Sequence, residues 1–154
     1  MFLTYHHSDM KALIQRVSSA SVEVEGQIVG QIKKGILVFI GIEKQDELEH
    51  ANKMINKILS YRVFSDTEGK MNLSVRDING GVLLVSQFTL AAETSNGTRA
   101  GFSTAKPPLE AENIYNHMVG RAKDLSSNIE SGIFAADMKV ALVNDGPVTF
   151  LLKC

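Results

Sequence analysis

Polar side chains stand at the end of an apolar segment in the middle of the chain. Val82–Val85 is apolar, and Ser86, Gln87, Phe88 and Thr89 follow it. Hydroxyl and amide groups at the end of a buried strand can bind a ligand, because a buried polar group without a hydrogen bond costs about 1–3 kcal/mol. The same pattern is typical of a strand that emerges into solvent, and periodicity alone favours neither interpretation.

A second polar segment, Asn144–Thr149, lies between two apolar stretches. Its Asp145-Gly146 pair is a turn signal, and Pro147 lacks an N–H donor and has a fixed φ. The residues alone favour a hairpin turn with a trans proline, because only about 5–6% of X–Pro bonds in folded proteins are cis.

The common catalytic signatures are absent from the sequence. It has no Walker-type glycine loop, no dinucleotide fingerprint and no Gly-x-Ser-x-Gly elbow. His50 and His117 each fall on a predicted helix, and Cys154 has no identifiable partner, so we expect structural roles for all three. We expect no metal site at the adjacent His6 and His7, and no cofactor.

The elements that carry the polar segments are predicted to be strands. Ser21–Glu25 alternates between apolar and polar residues, and a turn at Glu25-Gly26 leads into Gln27–Ile32. Ile36–Ile42 is apolar throughout, which predicts a central strand buried on both faces. Val82–Leu90 has the pattern of a second buried strand.

Two helices complete the pattern. Asp46–Ser60 is predicted to be helical, with Asp46 and Glu49 at capping-box spacing, and Pro107-Pro108 opens a second helix. Ala91–Lys106 between them is the longest loop, and Met138–Cys154 predicts two further strands. The residues expected to face the core are Leu48, Ala51, Ile55, Ile58, Leu59, Leu109, Ile114, Tyr115, Met118, Ala122 and Leu125. This order predicts an α+β fold with a mixed, largely antiparallel sheet.

Composition limits the classes of function. The chain has 154 residues, 44% of them apolar, and a formal net charge of −1. We expect one domain over residues 10–154, preceded by a loose extension over residues 1–9. The charge excludes a protein that coats long nucleic acids, but not one that grips a single RNA end. A single cysteine and the lack of a signal or long apolar segment predict a cytoplasmic protein with no membrane partner.

The two polar segments resemble the motifs that mark the D-aminoacyl-tRNA deacylases, and the resemblance extends from Met10 to about Lys153. Further blocks similar to the family, in the family's order, are Gln15-Arg16-Val17-Ser18, Ala20-Ser21-Val22, Gly69-Lys70-Met71-Asn72-Leu73 and Phe134-Ala135-Ala136-Asp137-Met138. The chain departs from the family pattern before Met10. It also has Arg99-Ala100-Gly101-Phe102 where the family more often has Arg-Pro-Ser-Phe.

The resemblance implies an enzyme that hydrolyses the ester between a D-amino acid and the 3′-terminal adenosine of tRNA. It also implies removal of glycine mischarged on tRNA-Ala. The fold it implies has strands that curl into a barrel-like sheet. It further implies a homodimer in which a cis Gly146-Pro147 unit reaches into the partner's pocket. No DNA partner is expected.

The resemblance also suggests roles for single residues. A rigid Gly146-Pro147 wall would reject the L side chain by steric clash, and Arg16 would brace this wall through backbone carbonyls. The alternative for Arg16 is an ordinary surface ion pair. Phe88, Phe134 and Met138 are candidates for an adenine pocket or, equally, for the core.

The chemical step has two candidate forms. Thr89 could attack the ester, but no base is visible beside it in the sequence. The preferred hypothesis is that Thr89 and main-chain amides near Gln87 and Phe88 position the substrate while the RNA 2′-OH assists, with Ser86 in support. The competing class is a non-catalytic module that binds an RNA 3′ end or a nucleotide.

Overall fold

The computed structural model describes residues 10–154, and the expected extension over residues 1–9 lies outside the described residues. The helices and strands are β1 (Lys11–Val24), β2 (Gln27–Ile32), β3 (Gly35–Gly41), α1 (Leu48–Ser60), β4 (Phe64–Ser65), β5 (Met71–Leu73), β6 (Gly81–Ser86), a 3₁₀ helix (Phe88–Ala91), α2 (Pro108–Leu125), β7 (Ile129–Ser131) and β8 (Met138–Lys153). The predicted α+β class with two main helices is confirmed.

Strand β1 organises the sheet, because it pairs antiparallel with β2, β3 and β8. Its first half lies beside β3 and its second half beside β2, while β8 runs along its other edge. β6 pairs in parallel with β3, and β7 with β6, so the sheet is mixed as predicted. β2 folds back over β6, where a Cβ on Gly30 would lie 3.0 Å from Leu83. The sheet therefore nearly closes into a barrel.

Alternate residues of β3 and β6 face two different apolar cores. Ile36 and Val38 pack with the two helices on the outside of the sheet. Leu37 and Leu83 pack with Val17 in the interior of the barrel. Burial of each such side chain contributes roughly 1.5–3 kcal/mol. Because both faces are covered, these strands have the unbroken apolar pattern that the sequence displays.

The final segment is one strand and not the predicted pair. Both halves of β8 pair with β1, from Val24 opposite Met138 to Lys11 opposite Lys153. They pair with one continuous partner, so they do not fold back on each other. The register passes from Val17 opposite Asn144 to Gln15 opposite Thr149, and the four residues 145–148 form a large bulge opposite Arg16.

The predicted strand over Val82–Leu90 is too long. β6 ends at Ser86, and the chain turns at Gln87 into the 3₁₀ helix. The short parallel strand β7 escaped prediction, because its three residues are too few for a period.

Both helices form, with corrections at their first turns. α1 begins at Leu48, and its capping box joins Glu47 to His50 where the sequence predicts Asp46 and Glu49. Leu48 and Leu109 are both predicted to face the core, but Leu48 is 50% exposed and Leu109 is 78% exposed. The prediction is wrong for these two residues. In each case the residue lies in the first turn of its helix.

Candidate active site

The end of β6 presents its polar residues to solvent. The Gln87 N–H donates to Ile40 O at 2.8 Å and continues the ladder with β3. The 3₁₀ helix then begins, and its first hydrogen bond runs from Leu90 N to Gln87 O at 3.1 Å. Phe88 is 63% exposed and Thr89 is also exposed, so Phe88 is not a core residue. Ser86 and Gln87 are half-buried.

The side chains of Gln87 and Thr89 are joined. Gln87 Nε2 donates to Thr89 Oγ1 at 2.5 Å. An amide nitrogen has no lone pair that accepts a proton, so Gln87 cannot act as a base toward this hydroxyl. Within residues 10–154, no histidine or carboxylate side chain is hydrogen-bonded to Thr89. The described residues thus place an amide, and no base, beside the Thr89 hydroxyl.

The second polar segment forms the bulge in β8. The Gly146–Pro147 bond is cis, as the resemblance implies. Gly146 has φ +128°, and a Cβ there would lie 2.9 Å from Arg16 Nη2. Glycine is therefore required at this position both by backbone conformation and by the close approach of Arg16. Gly146 and Pro147 are exposed.

Arg16 holds the base of this bulge. Its Nε donates to Asp145 O at 3.0 Å, and its Nη1 donates to Val63 O at 2.9 Å. The side chain is only 15% exposed. Nε also lies 3.8 Å from Asp145 Oδ2, so an ion pair accompanies the backbone contacts that the sequence analysis expects.

Asn144 closes the bulge from the other side. Its Oδ1 accepts a hydrogen bond from Val148 N at 3.2 Å, and its Nδ2 donates to Thr149 Oγ1 at 2.9 Å. Gln15 Nε2 donates to the same hydroxyl at 3.3 Å. Hydrogen bonds from side chains thus fix both ends of the bulge that contains Gly146 and Pro147.

Within one chain, the two polar segments lie apart. The bulge is opposite Arg16, and β1 and β3 separate β8 from β6. Thr149 on β8 pairs with Gln15 on β1, which pairs with Leu37 on β3, and Leu37 in turn pairs with Leu83 on β6. Leu83 lies three residues before the end of β6. Three inter-strand spacings amount to about 14 Å along the sheet. Within a single chain, β1 and β3 therefore lie in the sheet between the strand that carries Pro147 and the strand that leads to Thr89.

The remaining candidates for an adenine pocket border both cores. Phe134 is half-buried, and its ring centroid lies 6.0 Å from that of Tyr115. Met138 is half-buried against the interior of the barrel, and its Sδ lies 2.7 Å from the position of a Cβ on Gly132. Gly132 N donates to Leu84 O, so Met138 lies beside the end of strand β6. Both side chains combine core contact with an open side.

One aromatic contact at the site escapes sequence analysis. The Phe102 ring lies 5.2 Å from the Phe88 ring, at an interplanar angle of 47°. The signal is weak: Phe102 is the one aromatic residue in a loop of small and polar residues.

The two histidines within residues 10–154 have hydrogen-bond partners away from both polar segments. His50 Nδ1 accepts a hydrogen bond from Glu47 N at 2.9 Å, and His117 Nε2 lies 2.8 Å from Asn52 Oδ1. Over residues 10–154 no cluster of histidine, cysteine and carboxylate side chains is arranged to hold a metal ion. None of the described helices is long and apolar enough to span a membrane.

Comparison with known proteins identifies the family. The family described as D-Tyr-tRNA(Tyr) deacylase matches residues 13–153. This chain belongs to that family. The resemblance carried by the two polar segments is therefore confirmed, and with it the class of enzyme, a hydrolase of the D-aminoacyl-tRNA deacylase family.

Relatives of this family match nearly the whole chain. The D-aminoacyl-tRNA deacylase of Saccharophagus degradans is 62% identical over 143 residues, covering 93% of this chain and 99% of that protein. The solved structure of the c-Myc DNA Unwinding Element Binding Protein is 39% identical, with a TM-score of 0.89 over 94% of this chain and 98% of that one. A "probable eukaryotic D-amino acid tRNA deacylase" is 12% identical, with a TM-score of 0.84 over 94% and 99%, and it shows the fold alone.

Proposed function

We propose that this deacylase hydrolyses the ester of D-aminoacyl-tRNA, and of glycyl-tRNA mischarged on tRNA-Ala, and rejects L-aminoacyl groups. The observation that carries the proposal is the bulge at Gly146-Pro147, which Arg16 fixes through Asp145 O. D- and L-aminoacyl groups exchange hydrogen and side chain at Cα. A rigid wall where the L side chain would project rejects it by clash, whereas glycine has no side chain to reject.

The wall acts in a homodimer, on this proposal. In a single chain, β1 and β3 lie between the bulge and β6, with about 14 Å along the sheet from Thr149 to Leu83, so we assign the wall at each site to a second copy. β8 pairs only with β1 among the described strands, and its other edge is open. Its exposed apolar residues, Val143, Phe150 and Leu151, support contact with a second copy.

Main-chain amides bind the ester in the proposed mechanism. The N–H groups of Phe88 and Thr89 precede the first hydrogen bond of the 3₁₀ helix, which Leu90 makes. They are available to stabilise negative charge on the carbonyl oxygen. Thr89 positions the ester through its link to Gln87, with Ser86 behind it, and the 2′-OH of the terminal adenosine assists the attack of water. The adenine lies against Phe134 and Met138.

The first test is hydrolysis of matched D- and L-tyrosyl-tRNA by the purified protein without added metal. Rapid release from the D ester alone supports both the activity and the wall. Release from both esters would support the esterase activity and would contradict the rejection of L-aminoacyl groups by the Gly146-Pro147 wall. Release from neither, by a folded dimer, favours the non-catalytic module that binds an RNA 3′ end.

A Thr89 series separates the two forms of the chemical step. Thr89→Ala is expected to lower kcat about 10- to 100-fold, because the substrate loses a positioning contact but no covalent step is removed. Thr89→Ser keeps the hydroxyl and is expected to stay near the parent rate. An acyl-enzyme trapped on Thr89 would overturn the positioning role.

A further inference from the structure

We propose that the exposed rings of Phe88 and Phe102 form a platform on which the unpaired base preceding the terminal adenosine stacks. The inference rests on the proposed function, since it concerns the same RNA end. It assigns a binding subsite to the longest loop of the protein, Ala91–Lys106.

The two rings form a surface pair. Phe88 is 63% exposed and Phe102 is 47% exposed, although the rings contact each other. Aromatic surface left open in this way is unfavourable in water unless something covers it. A flat, partly rigid aromatic surface fits a nucleobase, because every base presents a π face.

The loop is built to keep Phe102 in place. Glu93 and Gly101 exchange backbone hydrogen bonds at 2.8 and 2.9 Å, which closes the outer part of the loop. Thr104 Oγ1 donates to Ala91 O at 2.6 Å, and Thr104 O accepts from Lys44 N at 3.0 Å. Gly101, before Phe102, is thus bonded within the loop, and Thr104, after it, is bonded to Ala91 and to the β3–α1 connection.

Lys106 completes this anchorage. Its N–H donates to Ile42 O at 3.1 Å, and its Nζ donates to Lys44 O at 3.2 Å and to Asp46 O at 2.6 Å. Together with the bond from Lys44 N to Thr104 O, four hydrogen bonds join this end of the loop to the β3–α1 connection. The ring position is preorganised, which lowers the entropy lost on binding.

Charge supports an RNA occupant. The loop carries exposed Arg99 and Glu93, and the turn beside it carries exposed Lys44 and Glu47 together with buried Glu43 and Asp46. Glu93 has its pKa lowered by hydrogen bonds from the Ser95 hydroxyl and N–H, and it remains a local anion. Arg99 and Lys44 are the exposed cations of this region, enough to contact one or two phosphates.

The position of the pair selects the preceding nucleotide. Phe88 lies in sequence between Gln87 and Thr89, so its ring adjoins the reacting ester while pointing outward. Met138 offers a separate, half-buried surface beside the end of β6. If the terminal adenine lies against Met138, the preceding nucleotide of the RNA lies next to the exposed rings of Phe88 and Phe102.

Three D-tyrosyl esters test the platform: adenosine, the dinucleotide cytidylyl-adenosine, and the same dinucleotide with an abasic first position. We expect kcat/KM for cytidylyl-adenosine to exceed that of both others about tenfold, since one stacked base is worth about that much. The abasic ester separates stacking from binding of the phosphate. Equal rates with all three esters would overturn the platform and leave the proposed function standing.

Variants tie the preference to the ring. Phe102→Ala is expected to reduce the preference for cytidylyl-adenosine to about twofold or less, mainly through KM, and Phe102→Tyr is expected to keep it. Ile28→Ala, at a residue 54% exposed on β2, is the matched surface control and should keep the parent preference.

Other outcomes overturn the inference. If Phe102→Ala lowers kcat/KM for the adenosine ester by the same factor, the pair binds the terminal adenine. If it weakens self-association in sedimentation, a second copy covers the pair. Absence of turnover with every ester, full-length D-tyrosyl-tRNA included, would overturn the proposed function and the platform with it.

Discussion

At the scale of single residues, Arg16 joins three segments that are distant in sequence. It belongs to β1, and its guanidinium donates to Val63 O after α1 and to Asp145 O in the bulge of β8. A planar guanidinium with fixed, diverging N–H groups can serve both carbonyls, whereas an ammonium group on a flexible stem cannot hold the same geometry.

Arg16→Lys is therefore expected to loosen the bulge. The loss of one charge-assisted hydrogen bond should lower the free energy of unfolding by about 1.5–3 kcal/mol, measured by urea denaturation. The ratio of D- to L-ester hydrolysis should fall with it. Lys139→Arg, at an exposed residue on β8, is the control. An unchanged midpoint together with an unchanged D/L ratio would show that Arg16 does not brace the wall.

Some residues of the candidate site are detectable in the sequence and others are not, for physical reasons. Ser86, Gln87 and Thr89 are detectable because polar groups follow an apolar run. The contact of Arg16 with Asp145 spans 129 positions, and only the resemblance suggests it. The contact of Phe88 with Phe102 depends on how a loop is anchored, which no local pattern encodes.

At the scale of secondary structure, Tyr115 attaches α2 to the strands beside the site. Its hydroxyl is shared between Leu84 O at 2.9 Å and Gly132 O at 3.1 Å. Burial raises the pKa of Tyr115 to about 12, and its contacts with Ser131 and Gly132 offset this only in part. The folded protein thus retains this proton at pH values where the unfolded chain loses it.

The sign of the pH effect follows from that raised pKa. The contribution of Tyr115 is complete below pH 10 and is lost between about pH 10 and 12, at about 1.4 kcal/mol per pH unit. Tyr115→Phe should cost about 1 kcal/mol at pH 8. The parent should be more stable than the variant at pH 8, and this difference in the free energy of unfolding, measured by urea denaturation, should shrink and then reverse as the pH rises. A constant difference would contradict the burial of this hydroxyl.

Gly35 sets the distance between β3 and β6 at their first residues. A Cβ on Gly35 would lie 1.9 Å from Gly81 O, which belongs to the paired strand, so backbone must move. Gly35→Ala is expected to lower the free energy of unfolding by about 1–3 kcal/mol. Gly120→Ala is the matched control, because a Cβ at that position in α2 meets open space. It should raise stability by up to about 1 kcal/mol. Thermal and urea unfolding of both variants check this pair of predictions.

Elements are predictable where local pattern and tertiary partner agree. The apolar run Ile36–Ile42 is buried on both faces, and the strand forms as β3. The Asn144–Pro147 segment has turn chemistry, yet β1 offers a continuous partner on both sides of it, and the strand continues through a bulge. Tertiary pairing there outweighs the local signal.

At the scale of the whole molecule, charge predicts how binding responds to salt. The net charge is −1, and few cations border the candidate site. The plot of log kcat/KM for D-tyrosyl-tRNA against log salt should therefore have a slope of about −1 to −2, as expected for two or three phosphate contacts on a single strand. A slope near −5 would indicate an extensive phosphate interface elsewhere on the protein.

The pairing of β1 with β8 has a consequence for how the protein is made. Lys11 lies opposite Lys153, so the first described strand, β1, cannot complete its pairing until the last strand, β8, has been synthesised. The bulge at Gly146-Pro147 likewise cannot form until both strands are present. Contacts between such distant positions close the largest loops and slow folding. While the ribosome is still translating the codons before β8, one whole edge of β1 is bare and open to mispairing with neighbouring nascent chains. Chiral discrimination on the proposed mechanism thus arises only after synthesis of β8, and a nonsense codon before Gly146 would release a chain without the wall and with much of that edge of β1 unpaired.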